Sequence, residues 1–387
     1  MSDLLNIKNN YSRIPNIQFT SQGGVAKSPE MSISQNENTN LVICYLESQA
    51  RNNVSSAYSV SNPIYTLAFD DIENLKIVDL QGNIVQNVEF KKEGNKLTEN
   101  IFVKSVNGST LHKTIVNDVN TKSMEIVLKN KNGEIIGQEV RSYKKLDNDN
   151  AISTHNGKTY NISGLSTNVI TVEHNGQKTI IDLNSKIQDT MDNFDGSHTN
   201  KNIDVAQREF LANSLKKLSG DLILKFNEEI DKLVLLDFDE YEGFYRNDNG
   251  VRKLQLSSKV TDDMTFLHEL GHAINALDNQ GYNNDNRWCD NKNYRSMRSV
   301  EMENLRNRCS NSLTKKILNK FTNFDFERKG YSSFESAQKD ASDEQFAELI
   351  GFFNCMDICK MNERTPALLQ FMPASTQMVY DVNAKLF

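Results

Sequence analysis

The chain has 387 residues, 37% of them apolar and 25% charged, which is enough apolar material for a sizeable core. Lys and Arg number 44 against 51 Asp and Glu, a formal net charge of −7, and this argues against the clustered basic surface that nucleic-acid binding needs. No apolar run approaches the ~18 residues required to span a bilayer, so neither a nucleic-acid partner nor a membrane span is expected.

Residues 1–60 are rich in Asn, Ser and Gln, as in Ser32-Ile33-Ser34-Gln35-Asn36-Glu37-Asn38-Thr39-Asn40, and read as a flexible segment. The start, Met1-Ser2-Asp3-Leu4-Leu5-Asn6, lacks the charged and apolar regions of a Sec-type signal peptide. In composition the segment resembles the export regions of injected bacterial effectors. That resemblance implies a secreted protein delivered into a host cell by another route.

From 61 to 185 the pattern is one of short β-type runs. Leu75-Lys76-Ile77-Val78-Asp79-Leu80 precedes the turn Gln81-Gly82-Asn83, and Met124-Glu125-Ile126-Val127-Leu128 precedes Lys131-Asn132-Gly133. Asn-Gly between apolar runs predicts hairpins. The near-repeat His155-Asn156-Gly157-Lys158-Thr159 and His174-Asn175-Gly176-Gln177-Lys178-Thr179 reads as two tight turns, with His155 and His174 as turn residues. An antiparallel β-rich accessory domain is the expectation.

From 186 to 387 the pattern becomes α+β, with a helix over Ile203–Leu218, a strand over Lys232–Leu236 and a second strand over Val251–Ser257. The second strand is expected to be the sheet edge that pairs with an extended peptide. The acidic group Asp237, Asp239, Glu240 and Glu242 lacks the glycine position of a calcium loop. Five cysteines, Cys44, Cys289, Cys309, Cys355 and Cys359, are too few and too scattered for a disulfide framework. Buried thiols are expected, the alternative being a structural metal held by the last four.

Residues 264–278 carry the chemistry. Leu267, Leu270, Ile274 and Leu277 form an apolar helical stripe. His268 and His272, four apart, project from one face and can share one metal ion, with Glu269 about 100° further round. This H-E-x-x-H pattern supplies two imidazole ligands and a general base in zinc peptidases, so Zn2+ is the expected cofactor. A third ligand is needed, and three places offer one: Asp278, the Glu301/Glu303 pair, and the Glu344/Glu348 pair. In the last, Phe346, Leu349, Ile350 and Phe353 form a buried stripe while the two carboxylates share another face, an arrangement suited to a ligand and a partner behind it.

His268-Glu269-Leu270-Gly271-His272-Ala273-Ile274, then Gly330-Tyr331, then Glu344-Gln345-Phe346-Ala347-Glu348 resemble the catalytic domain of the anthrax lethal factor family, which includes the clostridial Pro-Pro endopeptidases. These are gluzincin-type zinc peptidases. The resemblance covers only the C-terminal ~200 residues. It implies a zincin-like domain in which His268, His272 and Glu344 bind zinc and Glu269 is the base. It also implies that Tyr331, 13 residues before Glu344, assists the transition state. The function expected on this basis is a zinc endopeptidase, an effector or toxin that cleaves a host protein. A different class of protein shares the same features: a non-catalytic β-rich binding protein with a structural H-E-x-x-H helix. Zinc content and peptide cleavage separate the two.

Overall fold

The computed structural model describes residues 84–193, 195–237, 243–258, 260, 263–276, 287–308, 333–358 and 364–387, together with strands at 30–31, 41–48 and 73–79. The chain is α+β, with a large antiparallel sheet in its N-terminal part and most of its helices in the C-terminal part. The sheet runs as a meander in chain order. Its first six strands are β1 (Glu30–Met31), β2 (Leu41–Ser48), β3 (Glu73–Asp79), β4 (Ile84–Glu93), β5 (Lys96–Lys104) and β6 (Thr110–Asp118). It continues through β7 (Thr121–Lys129), β8 (Ile135–Lys145), β9 (Ala151–His155), β10 (Lys158–Ser163), β11 (Val169–His174) and β12 (Gln177–Asp182). The sheet therefore includes residues 30–31 and 41–48, within the segment whose composition reads as flexible.

The expected hairpins form, and their turns show the reason. Asn156 and Asn175 take positive φ values of 46° and 50°, as the tight hairpin turn with matching twist requires. The histidine expectation is corrected here. His155 and His174 are the last residues of β9 and β11, and the turns begin one residue later. His155 is fully buried, with its ring between Glu139 Oε1 at 3.2 Å and Asp221 Oδ2 at 3.1 Å.

Strict alternation puts one face of the sheet inside. Leu97, Ile101 and Val103 on β5, Leu111 and Ile115 on β6, and Met124, Ile126 and Leu128 on β7 are all buried. The same face carries a row of buried cations that reach the C-terminal half. Lys113 donates to the Phe352 carbonyl. Lys122 lies between Asp263, at 3.2 Å, and Asp357. Arg141 donates to Glu139 Oε1 at 2.8 Å and Asn354 Oδ1 at 2.6 Å, and pairs with Asp221. Buried charges of this kind persist only when paired, because each costs several kcal/mol to take out of water.

After the short helix α1 (Leu183–Lys186) and the strand pair β13 (Thr190–Asp192) and β14 (His198–Asn202) comes α2 (Val205–Lys216). It starts in a capping box between Asp204 and Gln207. Helix α3 (Gly220–Glu229) packs against β9 to β11. A three-stranded sheet follows, in the order β15 (Lys232–Leu235), β17 (Val251–Leu256), β16 (Gly243–Asp248). β17 pairs parallel with β15 and antiparallel with β16. The expectation that the 251–257 strand is an edge is therefore wrong. Its run Lys253-Leu254-Gln255-Leu256 is buried throughout, as a central strand requires, and among the described residues β16 takes the outer place.

The H-E-x-x-H helix is α4 (Asp263–Asn275), and it is buried nearly all round, with Phe266, Leu267, Leu270 and Ala273 each 1% exposed. Past it lie α5 (Lys292–Arg308), α6 (Phe334–Asn354), α7 (Arg364–Phe371) and α8 (Pro373–Leu386). Helices α4 and α6 cross at close range because small residues meet there. A Cβ on Gly271 would stand 2.8 Å from Ala347 Cα, and one on Gly351 would stand 3.2 Å from the His268 backbone nitrogen. Backbone atoms cannot step aside as a side chain can, so overpacking outweighs the ~1 kcal/mol of helix propensity that a side chain brings. Gly271→Val is expected to lose about 1–3 kcal/mol of stability in chemical denaturation by spreading the two helices.

Candidate metal centre

On α4, the 3.6-residue repeat turns His268 and His272 to one side, and α6 lies across that side. The two Nε2 atoms are 3.2 Å apart, with the rings nearly perpendicular at 79°. Glu344 completes the group, with Oε2 3.5 Å from His268 Nε2 and Oε1 4.0 Å from His272 Nε2. One ligand atom from each residue lies within 4.8 Å of the others. The histidines are 8% and 5% exposed, and Glu344 is the more open member.

The donor set fits zinc. Two imidazole nitrogens and one carboxylate oxygen make a catalytic-type ligand set, and tetrahedral coordination at 2.0–2.1 Å puts ligand atoms about 3.3–3.4 Å apart. The 3.2 Å between the imidazoles and the 3.5 Å from His268 to Glu344 Oε2 straddle that value. The 4.0 Å to His272 is made by the other oxygen, Oε1, so a side-chain adjustment of Glu344 is needed to bring one oxygen to both histidines.

The other ring nitrogens are held from behind. His268 Nδ1 is 3.3 Å from Glu348 Oε2, and Glu348 accepts a hydrogen bond from the Thr365 hydroxyl. His272 Nδ1 is 3.1 Å from Asp343 Oδ1. Asp343 also accepts from the Asn275 amide and pairs through Oδ2 with Arg287 Nη1 at 3.4 Å. Burial opposes protonation of His272, but the Asp343 charge and hydrogen bond outweigh it and leave the imidazole more basic than usual. Burial likewise opposes ionisation of Asp343, yet His272 and Arg287 together hold its carboxyl below the usual range.

Glu269 lies beside the group rather than in it. It is 7% exposed, and its Cγ is 2.9 Å from where a Cβ on Gly243 would stand, at the start of β16. Only a glycine there leaves room for the carboxylate arm between α4 and the outer strand.

The remaining expected site residues fall as follows. Glu301 is buried elsewhere and accepts hydrogen bonds from the backbone nitrogens of Ala374, at 2.6 Å, and Ser375, at 3.0 Å. It thereby caps the first turn of α8, where an anion suits the helix dipole. Glu303 is exposed on α5. Asp278 and Tyr331 lie outside the described residues. Cys289 and Cys355 are buried free thiols, as expected for them, while Cys309 and Cys359 are outside the described residues. Burial pushes the Cys289 thiol up to about 12, with the nearby Asp343 charge adding to the effect, so it stays protonated. Asp343, Asn275, Arg287 and Thr365 were not anticipated. Asp343 adjoins Glu344 and Asn275 follows His272 by three, so both were within reach of a helical projection, whereas nothing local marks Arg287 or Thr365.

The chain matches no protein-family model, no curated protein and no solved structure. No helix among the described residues is long and apolar enough to cross a membrane.

Proposed function

We propose that the chain is a zinc-dependent endopeptidase with a zincin-like domain over residues 186–387, similar to the anthrax lethal factor family. On the same resemblance, its substrate is a host protein and the chain is a bacterial effector or toxin. The observation that carries the reading is the gathering of one ligand atom each from His268, His272 and Glu344 within 4.8 Å of one another, with Glu269 next to His268 on α4. When bound, zinc supplies a Lewis acid that polarises a carbonyl and makes a water easier to deprotonate. Glu269 takes a proton from that water and passes it to the leaving amine nitrogen of the substrate. Glu348 holds the His268 imidazole in the tautomer that turns Nε2 toward the metal. An extended peptide pairing with β16 brings its backbone alongside Glu269, because Gly243 of that strand is what Glu269 touches. Tyr331 is the oxyanion donor that the resemblance implies.

Metal analysis of the purified protein, with mapping of new peptide N-termini in a treated proteome, tests the reading. One zinc per chain and cleavage abolished by a chelator are expected. Two zinc ions per chain would point to the Cys289, Cys309, Cys355, Cys359 set as a second site. Neither zinc nor cleavage would favour the non-catalytic binding protein.

A further inference from the structure

The histidine nearer the end of α4 is held differently from its partner, and the difference reaches beyond the motif. His272 Nδ1 meets Asp343, a carboxylate 1% exposed that is hydrogen-bonded at one oxygen and ion-paired at the other. On Oδ1, beside the imidazole, sits the Asn275 amide, and on Oδ2 sits Arg287 at 3.4 Å. Asn275 is itself fixed, since its Oδ1 accepts from the Cys289 backbone nitrogen at 2.8 Å and its amide also faces Cys289 Sγ at 3.2 Å. Arg287 is 7% exposed, bridges Ala276 through the backbone, and is 3.3 Å from Asp290. The short turn over 287–290 is thus fastened to the end of α4 and to Asp343 together.

A carboxylate free to swing can meet an in-plane imidazole N–H in several orientations of the ring. One clamped on both oxygens accepts along a single direction. We propose that Asp343, clamped by Arg287 and Asn275, is the residue that orients His272 to bind metal through Nε2. Arg287 is then a positioning residue for the centre, acting through Asp343. The inference rests on the zinc reading above.

Zinc affinity, measured by competition with a chromophoric chelator, gives the test. Asp343→Asn keeps the size and one acceptor oxygen of the side chain but removes its charge, and is expected to weaken zinc binding about 10–100-fold. The metal-free denaturation midpoint is expected to fall, because Arg287 loses a buried partner, so zinc affinity is compared under conditions where the metal-free variant is folded. Arg287→Gln is expected to weaken binding less, and its effect is expected to vanish in the Asp343→Asn background, because residues that act through one another are not additive. Nitrogen NMR of the zinc-loaded wild type is expected to show His272 protonated at Nδ1 and coordinated at Nε2. This measurement decides the matter alone if Asp343→Asn does not fold. Three results would each overturn the inference: unchanged zinc affinity in Asp343→Asn, an Arg287→Gln loss of equal size in both backgrounds, or coordination through Nδ1. A wild type that takes up no zinc would remove the zinc reading itself, and this inference with it.

Discussion

Glu269→Gln is expected to keep one zinc per chain and the wild-type fold while peptidase activity falls by about 10²–10⁴-fold, the usual cost of losing a general base. The geometry makes this separation of effects sharp. Glu269 is next to His268 in sequence but about 100° round the helix from it, with its side chain against Gly243 on β16 rather than in the His268–His272–Glu344 group. Glutamine fills the same space and keeps one acceptor, so neither packing nor the metal ligands are disturbed. What it cannot do is take a proton. Activity and metal content measured on the same preparation check the point, and full activity at full zinc occupancy would refute the mechanism.

Glu344→Ala is expected to abolish stable zinc binding, a loss well beyond the ~10–100-fold that removal of an outer partner brings. With Glu344 gone, two imidazoles remain of a three-residue set, and catalytic zinc sites keep three protein ligands. Glu348→Ala, one helical turn on, is expected to lose only about 10–100-fold, because Glu348 touches His268 Nδ1 and not the point where the ligand atoms meet. The two other described carboxylates divide cleanly. Glu301→Ala is expected to retain zinc but lose about 1 kcal/mol of stability, since its oxygens cap α8. Glu303→Ala, on an exposed position, is expected to leave both unchanged. Asp278→Ala is expected to retain zinc as well. Metal content and chemical denaturation of the variants check all five. Zinc retained in Glu344→Ala and lost in Asp278→Ala would reverse the ligand assignment.

What the sequence by itself determined about this protein is what short-range geometry governs. His268 and His272 share a face because any α-helix brings positions four apart together, and the same rule pairs Glu344 with Glu348. The hairpins at Asn156-Gly157 and Asn175-Gly176 were legible because that turn demands those residues. Only the tertiary structure decided the rest. Among the described candidates for a third carboxylate, the close crossing of α4 and α6 at Gly271, Ala347 and Gly351 brings Glu344 to the histidines and leaves Glu301 and Glu303 elsewhere. That crossing also settles which of two adjacent acids faces which nitrogen, Glu344 toward the Nε2 atoms and Asp343 toward His272 Nδ1. The outer place in the small sheet went to β16 rather than β17, since strand order depends on partners that a single strand's pattern does not name. Lys122 and Arg141 alternate within their strands like any surface residue. Yet both are buried, because their partners Asp263 and Asn354 stand 141 and 213 residues further along the chain. No periodicity of 2 or 3.6 residues can register an interaction at that distance.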